Sequence, residues 1–158
     1  MQRRPFIAAA GGALMLLASR AQAHHGWSSF DQARPLYLEG QAGKVMWRNP
    51  HAEFELELAA DLKLPANLAA RPLPGQSAPV DGPALLKAAQ LPTRKDRRWL
   101  IELAPLTRME AWKVAPLKTG DKVAVLGFTF AGEKGEAIVR AEYLFVGDKA
   151  YGLRSSPA

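Results

Sequence analysis

Apolar and polar residues alternate early in the chain in the pattern of a long β-strand. Apolar residues and glycine occupy the even positions of residues 36–42, and then Val45 and Trp47 occupy odd positions. The two-residue period therefore gains one residue near Gly43, which predicts a β-bulge. A bulge bends the strand, as the first strand of a small barrel requires.

Four further segments show the same alternation. After an expected turn at residues 49–50, residues 51–58 place glutamates on one face and apolar residues on the other, which is typical of a half-buried antiparallel strand. Three more strands are predicted at residues 98–103, 122–130 and 136–146. The chain thus contains five predicted strands.

The segments between the strands carry other signals. Residues 61–97 contain six prolines, which exclude a sheet interior and predict an insertion that is functional or mobile, with one short helix at residues 83–90. Thr107 and Glu110 have the spacing of a capping box. This spacing predicts Thr107 as the N-cap of a short helix that follows it and ends before Pro116.

The order of these elements indicates the fold class. Five strands with a short helix between the third and the fourth is the connectivity of an OB-like Greek-key barrel, and a β-sandwich is the alternative. The barrel is expected to span residues 36–148, including the insertion. Residues 24–35 form an N-terminal tail and residues 149–158 a C-terminal tail in this interpretation.

The first 23 residues have the composition of a signal peptide. Two arginines, Arg3 and Arg4, precede an apolar stretch at residues 7–18, and the small-residue cleavage motif Ala-Gln-Ala follows at residues 21–23. The stretch is too short to span a membrane, so we expect a periplasmic protein with no membrane span after cleavage. The arginine pair resembles a twin-arginine signal, and Sec export is the alternative.

Charge and cysteine content restrict the partners. The whole chain has a net charge of +6, and loss of the signal peptide leaves 18 basic and 15 acidic residues, a net charge of +3 over 135 residues. So small a surplus does not favour nucleic acid as a partner. The chain has no cysteine, so any metal site must use nitrogen, oxygen or thioether ligands.

The three histidines of the chain form the candidate metal site. Cleavage after Ala23 makes His24 the first residue, and its free amine and Nδ1 can chelate one metal ion near neutral pH. With His25 and His51 they provide a nitrogen-rich set, which favours copper(II). A copper ion is therefore the cofactor that the sequence predicts, and zinc, which binds such sites less tightly, is the alternative.

This metal site depends on the course of the N-terminal tail. His24 reaches His51 only if the tail doubles back along the first strand, and we expect Trp27 and Phe30 to pin it to the barrel by burying their rings. Candidate axial ligands are the thioethers of Met46 and Met109.

Function is predicted in three alternatives. The sequence contains no nucleophile elbow, no Ser-His-Asp order and no phosphate-binding loop, so we expect a non-enzymatic protein. The first prediction is a periplasmic protein that handles copper through its processed N-terminus. The second is a metal-free module that binds a small ligand or another periplasmic protein, and the third is an oxidative copper enzyme.

Four short segments form a further pattern: Ala23-His24-His25 followed by Phe30-Asp31, then Leu38-Glu39-Gly40, Trp47-Arg48-Asn49-Pro50-His51 and Gly120-Asp121-Lys122-Val123. Together they resemble a family of small exported bacterial proteins of unknown function. The resemblance implies a periplasmic, barrel-like domain, draws attention to the three histidines, and brings no established activity. The chain departs from the pattern at its long proline-rich insertion, where relatives have a short connection.

Overall fold

The structure, a computed structural model, describes residues 25–158 and contains one six-stranded sheet. The predicted signal peptide and His24 lie outside the described residues. Each of the five predicted strands is present, and a sixth follows them. The strands are β1 (Leu36–Met46), β2 (Glu53–Leu58), β3 (Arg98–Glu102), β4 (Lys122–Phe128), β5 (Ile138–Val146) and β6 (Lys149–Gly152), and the two α-helices are α1 (Gly82–Ala88) and α2 (Leu106–Ala111).

The sheet closes into a five-stranded barrel. Its strand order is β3-β2-β1-β4-β5, and parallel pairing between β3 and β5 joins the two ends. Helix α2 lies between β3 and β4, so the predicted OB-like connectivity is confirmed. Strand β6 pairs with the end of β5 as a hairpin and gives regular structure to part of residues 149–158.

Strand β1 bends where the sequence predicts a bulge. Its register against β2 shifts between Gly43 and Met46, which confirms the extra residue. Earlier in β1, a Cβ atom on Gly40 would overlap the carbonyl oxygen of Glu57. The backbones of β1 and β2 therefore approach too closely here for any residue other than glycine. Glycine at this position therefore lets β1 and β2 pair closely.

The inward side chains of all five barrel strands form the main core. These side chains are the apolar halves of the alternating segments, which explains why the alternation predicts the strands correctly. Helix α2 and the segment after it add side chains to the same cluster. Its fully buried members include Leu38, Phe54, Leu56, Trp99, Ile101, Leu103, Met109, Val125, Val139 and Leu144.

The proline-rich insertion packs against the outside of the barrel. Its helix α1 begins at the side chain of Asp81, whose Oδ1 accepts a hydrogen bond from the Ala84 amide at 3.0 Å. The helix confirms the short helix predicted in the insertion, and Leu86 on it is 3% exposed. The outer-face cluster that the insertion completes contains Tyr37, Leu68, Leu86, Ala89, Ala124, Leu126, Tyr143 and Phe145.

The predicted capping box of the second helix is wrong. Helix α2 begins at Leu106, and its N-cap is Pro105 instead of Thr107. The proline ring fixes φ, and Leu106 packs against the main core, so Thr107 is drawn inside the helix.

No helix within residues 25–158 is long and apolar enough to cross a bilayer.

Candidate functional site

One row of side chains on the outer face crosses all five barrel strands. Each member is the cross-strand partner of the next, so all of them point to the same side of the sheet. Their sequence neighbours on β2, β3 and β5 point into the core, which places the row outside the barrel. This cross-strand row consists of Met46, Glu53, Glu102, Arg140 and Phe128.

The N-terminal segment, residues 25–35, lies across this row. Asp31 donates its backbone N–H to the Thr129 carbonyl at 2.8 Å, and Phe30, 5% exposed, stacks on Phe130 with 5.1 Å between ring centroids. Trp27 packs edge-on against Phe128 at 6.4 Å. The expected pinning by Trp27 and Phe30 is confirmed.

The route of the segment differs from the expected one. We expected the tail to double back along β1, whereas the segment crosses β4 and β5 and reaches the end of β3 directly. Closure of the barrel explains this route, because it places β5 beside β3 although the two are far apart in the chain. The segment therefore reaches the end of β3, beside β2, without following β1.

His25 lies over the third member of the row. Its Nδ1 is 3.6 Å from Oε1 of Glu102 and is buried, with no hydrogen-bond partner within residues 25–158. The ring meets Phe130 and Phe30 edge-on, with centroid distances of 5.1 and 6.0 Å. The side chain is 27% exposed, and because Nδ1 is buried, the exposed atoms are those on the rest of the ring.

Glu102 connects His25 to Arg140. Glu102 is 7% exposed, and its Oε2 lies 3.6 Å from Nη1 of Arg140. Burial raises the pKa of Glu102, although the charges of Arg140 and His25 oppose the increase, and neighbouring Glu53 adds to it. The carboxyl group thus presents one oxygen to each of its two partners.

Trp27 contacts Arg140, at the end of the His25–Glu102–Arg140 series that is opposite His25. Its ring receives the guanidinium carbons of Arg154 at 3.6 Å and Arg140 at 5.0 Å, two cation–π contacts. Burial lowers the pKa of Arg140, against the attraction of Glu102. Arg154 also donates to buried Glu142, with 2.6 Å between Nη2 and Oε2. The segment therefore rests on a partly buried set of charges.

His51 lies at the same end of β2. The backbone pairing continues beyond the two strands, because Ala52 donates to Ala104 at 3.0 Å and accepts from Leu103 at 2.9 Å. His51, which is partly buried, directly precedes this paired residue and so lies beside the β2–β3 end of the barrel.

The remaining predicted ligands do not all lie on the cross-strand row. Met46 belongs to the cross-strand row, whereas Met109 is 1% exposed in the main core and is separated from the row by the barrel wall. His24 lies outside the described residues. Within residues 25–158 alone, no group of three or more histidine, aspartate or glutamate side chains is arranged to hold a metal ion.

Two central residues of the site were missed by the sequence analysis. Glu102 and Arg140 stand at outer positions of strands that were interpreted only through their apolar faces. A signal was present for Arg140, because a lone cation interrupts the apolar run at residues 138–141. The pairing of the two residues depends on barrel closure, which a local pattern does not reveal.

Comparison with known proteins gives one match. Residues 13–63 match the model of a family of unknown function (DUF6152), which fits the predicted resemblance to an uncharacterised family. The matched region includes His24, His25, Met46 and His51, and it ends before Glu102. Neither a curated protein nor a solved structure gave a significant match.

Proposed function

We propose that this is an exported, periplasmic copper-binding protein that handles the metal through its processed N-terminus and has no enzymatic activity. The ligands are the free amine and imidazole of His24 and the imidazoles of His25 and His51. This set gives four nitrogen donors, which suit the tetragonal geometry of copper(II).

The course of the N-terminal segment is the observation that carries the proposal. Trp27 lies over Arg140 of β5, and His25 lies over Glu102 of β3. Going back along the segment therefore moves from β5 to β3, and the next strand in that direction is β2, which His51 precedes. Neighbouring strands are about 4.8 Å apart and one extended residue covers about 3.3 Å, so one further residue together with its imidazole side chain would reach β2.

Met46 adds support for a copper ion that changes its oxidation state. It is the cross-strand partner of Glu53, on the face toward which the segment runs. A thioether is a soft ligand that suits copper(I), while the imidazoles suit both states. Handling or delivery of copper is consistent with such a mixed set.

The proposal is tested by replacing the histidine that comes from the barrel. His51→Ala should weaken copper(II) binding by more than about tenfold, because one of four ligands is lost while the N-terminal chelate remains. Binding is measured by calorimetric titration of mature protein, and the nitrogen hyperfine pattern by electron paramagnetic resonance. Lys63→Ala, an exposed change in the insertion, is the control.

The possible outcomes separate the candidate functions. Reduced affinity with fewer coupled nitrogens in His51→Ala alone supports the copper site. The copper site is contradicted if both variants bind copper as tightly as the unchanged protein. It is also contradicted if the mature protein binds copper no more tightly than a short His-His peptide does. Such a result favours the metal-free binding module.

A further inference from the structure

We infer that Glu102 is a positioning residue that fixes the tautomer of His25, with its proton on Nδ1 and its lone pair on Nε2. This inference rests on the proposed function for its purpose, since it makes Nε2 the copper-binding atom. It concerns two residues that lie 77 positions apart in the chain and meet only in the folded barrel.

The surroundings of the ring leave the carboxylate as the group that faces Nδ1. Phe30 and Phe130 contact the ring through their own aromatic surfaces, which offer no strong hydrogen-bond acceptor. Oε1 of Glu102 lies 3.6 Å from Nδ1, a distance that a small rotation shortens to a hydrogen bond. A buried Nδ1 without its proton would place a lone pair against this acceptor oxygen and would lose the interaction.

A neutral imidazole carries only one ring proton, so the carboxylate decides the role of both nitrogens. When Nδ1 donates to Glu102, Nε2 keeps a lone pair and becomes the metal-binding atom. Carboxylates commonly orient metal-binding histidines in this way, and they also increase the basicity of the ligand. Glu102 therefore acts through His25 and does not itself bind the metal.

Arg140 keeps the carboxyl group of Glu102 in place. Its Nη1 is 3.6 Å from Oε2, the oxygen that does not face His25. The Arg140 side chain is only 6% exposed, and its guanidinium also lies 5.0 Å from the Trp27 ring. The sequence of contacts from Trp27 through Arg140 and Glu102 to His25 thus couples the position of the segment to the orientation of the imidazole.

The tautomer is tested without metal. In ¹⁵N-labelled, copper-free mature protein at about pH 8, where free imidazole is neutral, long-range ¹H–¹⁵N spectra should show His25 protonated on Nδ1. Glu102→Ala should return His25 to the Nε2–H form that free histidine prefers, whereas Glu102→Gln, which keeps an acceptor oxygen, should retain Nδ1–H. An Nε2–H form in the unchanged protein, or one tautomer in all variants, overturns the inference.

Copper affinity is the second measurement on the same proteins. Glu102→Ala should weaken binding by about 10- to 100-fold, as is usual for the loss of a residue that orients a ligand. The matched control is Glu55→Gln, on the same face of β2 but paired with Lys44, which should change neither tautomer nor affinity. Urea unfolding verifies that each variant is folded.

The two measurements distinguish failure of the inference from failure of the proposed function. If the unchanged protein binds no copper but His25 shows the Nδ1–H form that depends on Glu102, the positioning role stands and the copper function is wrong. If copper binds tightly and Glu102→Ala alters neither affinity nor tautomer, the positioning role is wrong and the copper function stands.

Discussion

Glu133 joins three separate segments through one buried carboxylate. It accepts hydrogen bonds from the backbone N–H groups of Thr93 and Arg94 at 2.9 and 2.8 Å, and from Nη1 of Arg34 at 2.8 Å. These donors come from the end of the insertion and from the N-terminal segment, while Glu133 itself lies in the β4–β5 loop. Its side chain is 3% exposed, so the charge is compensated almost wholly by these groups.

Replacement of Glu133 should destabilise the protein in a pH-dependent way. Burial alone raises the pKa of Glu133, but the Thr93, Arg94 and Arg34 donors outweigh it and lower the pKa. The stabilisation is therefore present above the unfolded-state pKa of about 4.3 and is lost as the pH falls through the lower folded-state value. Glu133→Gln should reduce the free energy of unfolding at pH 7 by about 1.5–3 kcal/mol, measured with urea.

The control for this prediction comes from the same loop. Glu136 is exposed, so Glu136→Gln should change the free energy of unfolding by less than about 0.5 kcal/mol. The difference between the Glu133 variant and the unchanged protein should narrow below about pH 4. A pH-independent difference would show that the charge of Glu133 is not the stabilising feature.

At the scale of elements, the insertion behaves as part of the fold. Helix α1 places Leu86 in the outer-face cluster against β1, β4 and β5, whereas Leu64 in the same insertion is 40% exposed. Leu86→Ala should lower the free energy of unfolding by about 2–5 kcal/mol, because it leaves a cavity. Leu64→Ala should lower it by less than about 0.5 kcal/mol.

Urea unfolding measures the free energy of unfolding of both variants, and comparing them shows whether the insertion is packed on the barrel. Equal, small effects of the two substitutions would mean that the insertion is not packed on the barrel. A large effect of Leu86→Ala alone would mean that residues 61–97, although rich in proline, contribute a second core outside the barrel.

Local pattern predicts elements well where each one buries a single face. The alternation in β2 and the parity change in β1 were sufficient to place both strands and the bulge, because inward residues must be apolar. The capping pattern at Thr107 failed because Pro105 and the partly buried Leu106 set the start of α2. A local hydrogen-bonding preference was overridden by packing.

At the scale of the whole molecule, two segments cover the outer faces of the barrel. The insertion covers one face, and the N-terminal segment covers a second cluster formed by Phe30, Phe128 and Ile138. The histidines could be selected from sequence because they are few and close together in the chain. Glu102 and Arg140 could not be selected, because only barrel closure brings β3, β5 and the segment to one place.

The free amine of His24 is the feature that distinguishes the proposed site from an ordinary pair of histidines. Protein that begins at His24 but carries an acetyl group on its terminal amine keeps every imidazole and carboxylate of the site, and it loses only the amine as a ligand. The comparison therefore changes a single donor atom and leaves the barrel untouched.

Copper(II) affinity of protein that begins at His24 with a free amine, measured beside the same protein acetylated at that amine, tests the account most directly. We predict that the first binds one copper ion at least about tenfold more tightly and shows a resonance spectrum with different nitrogen coupling, because its chelate includes the amine. Equal affinity and identical spectra for the two proteins would contradict the account.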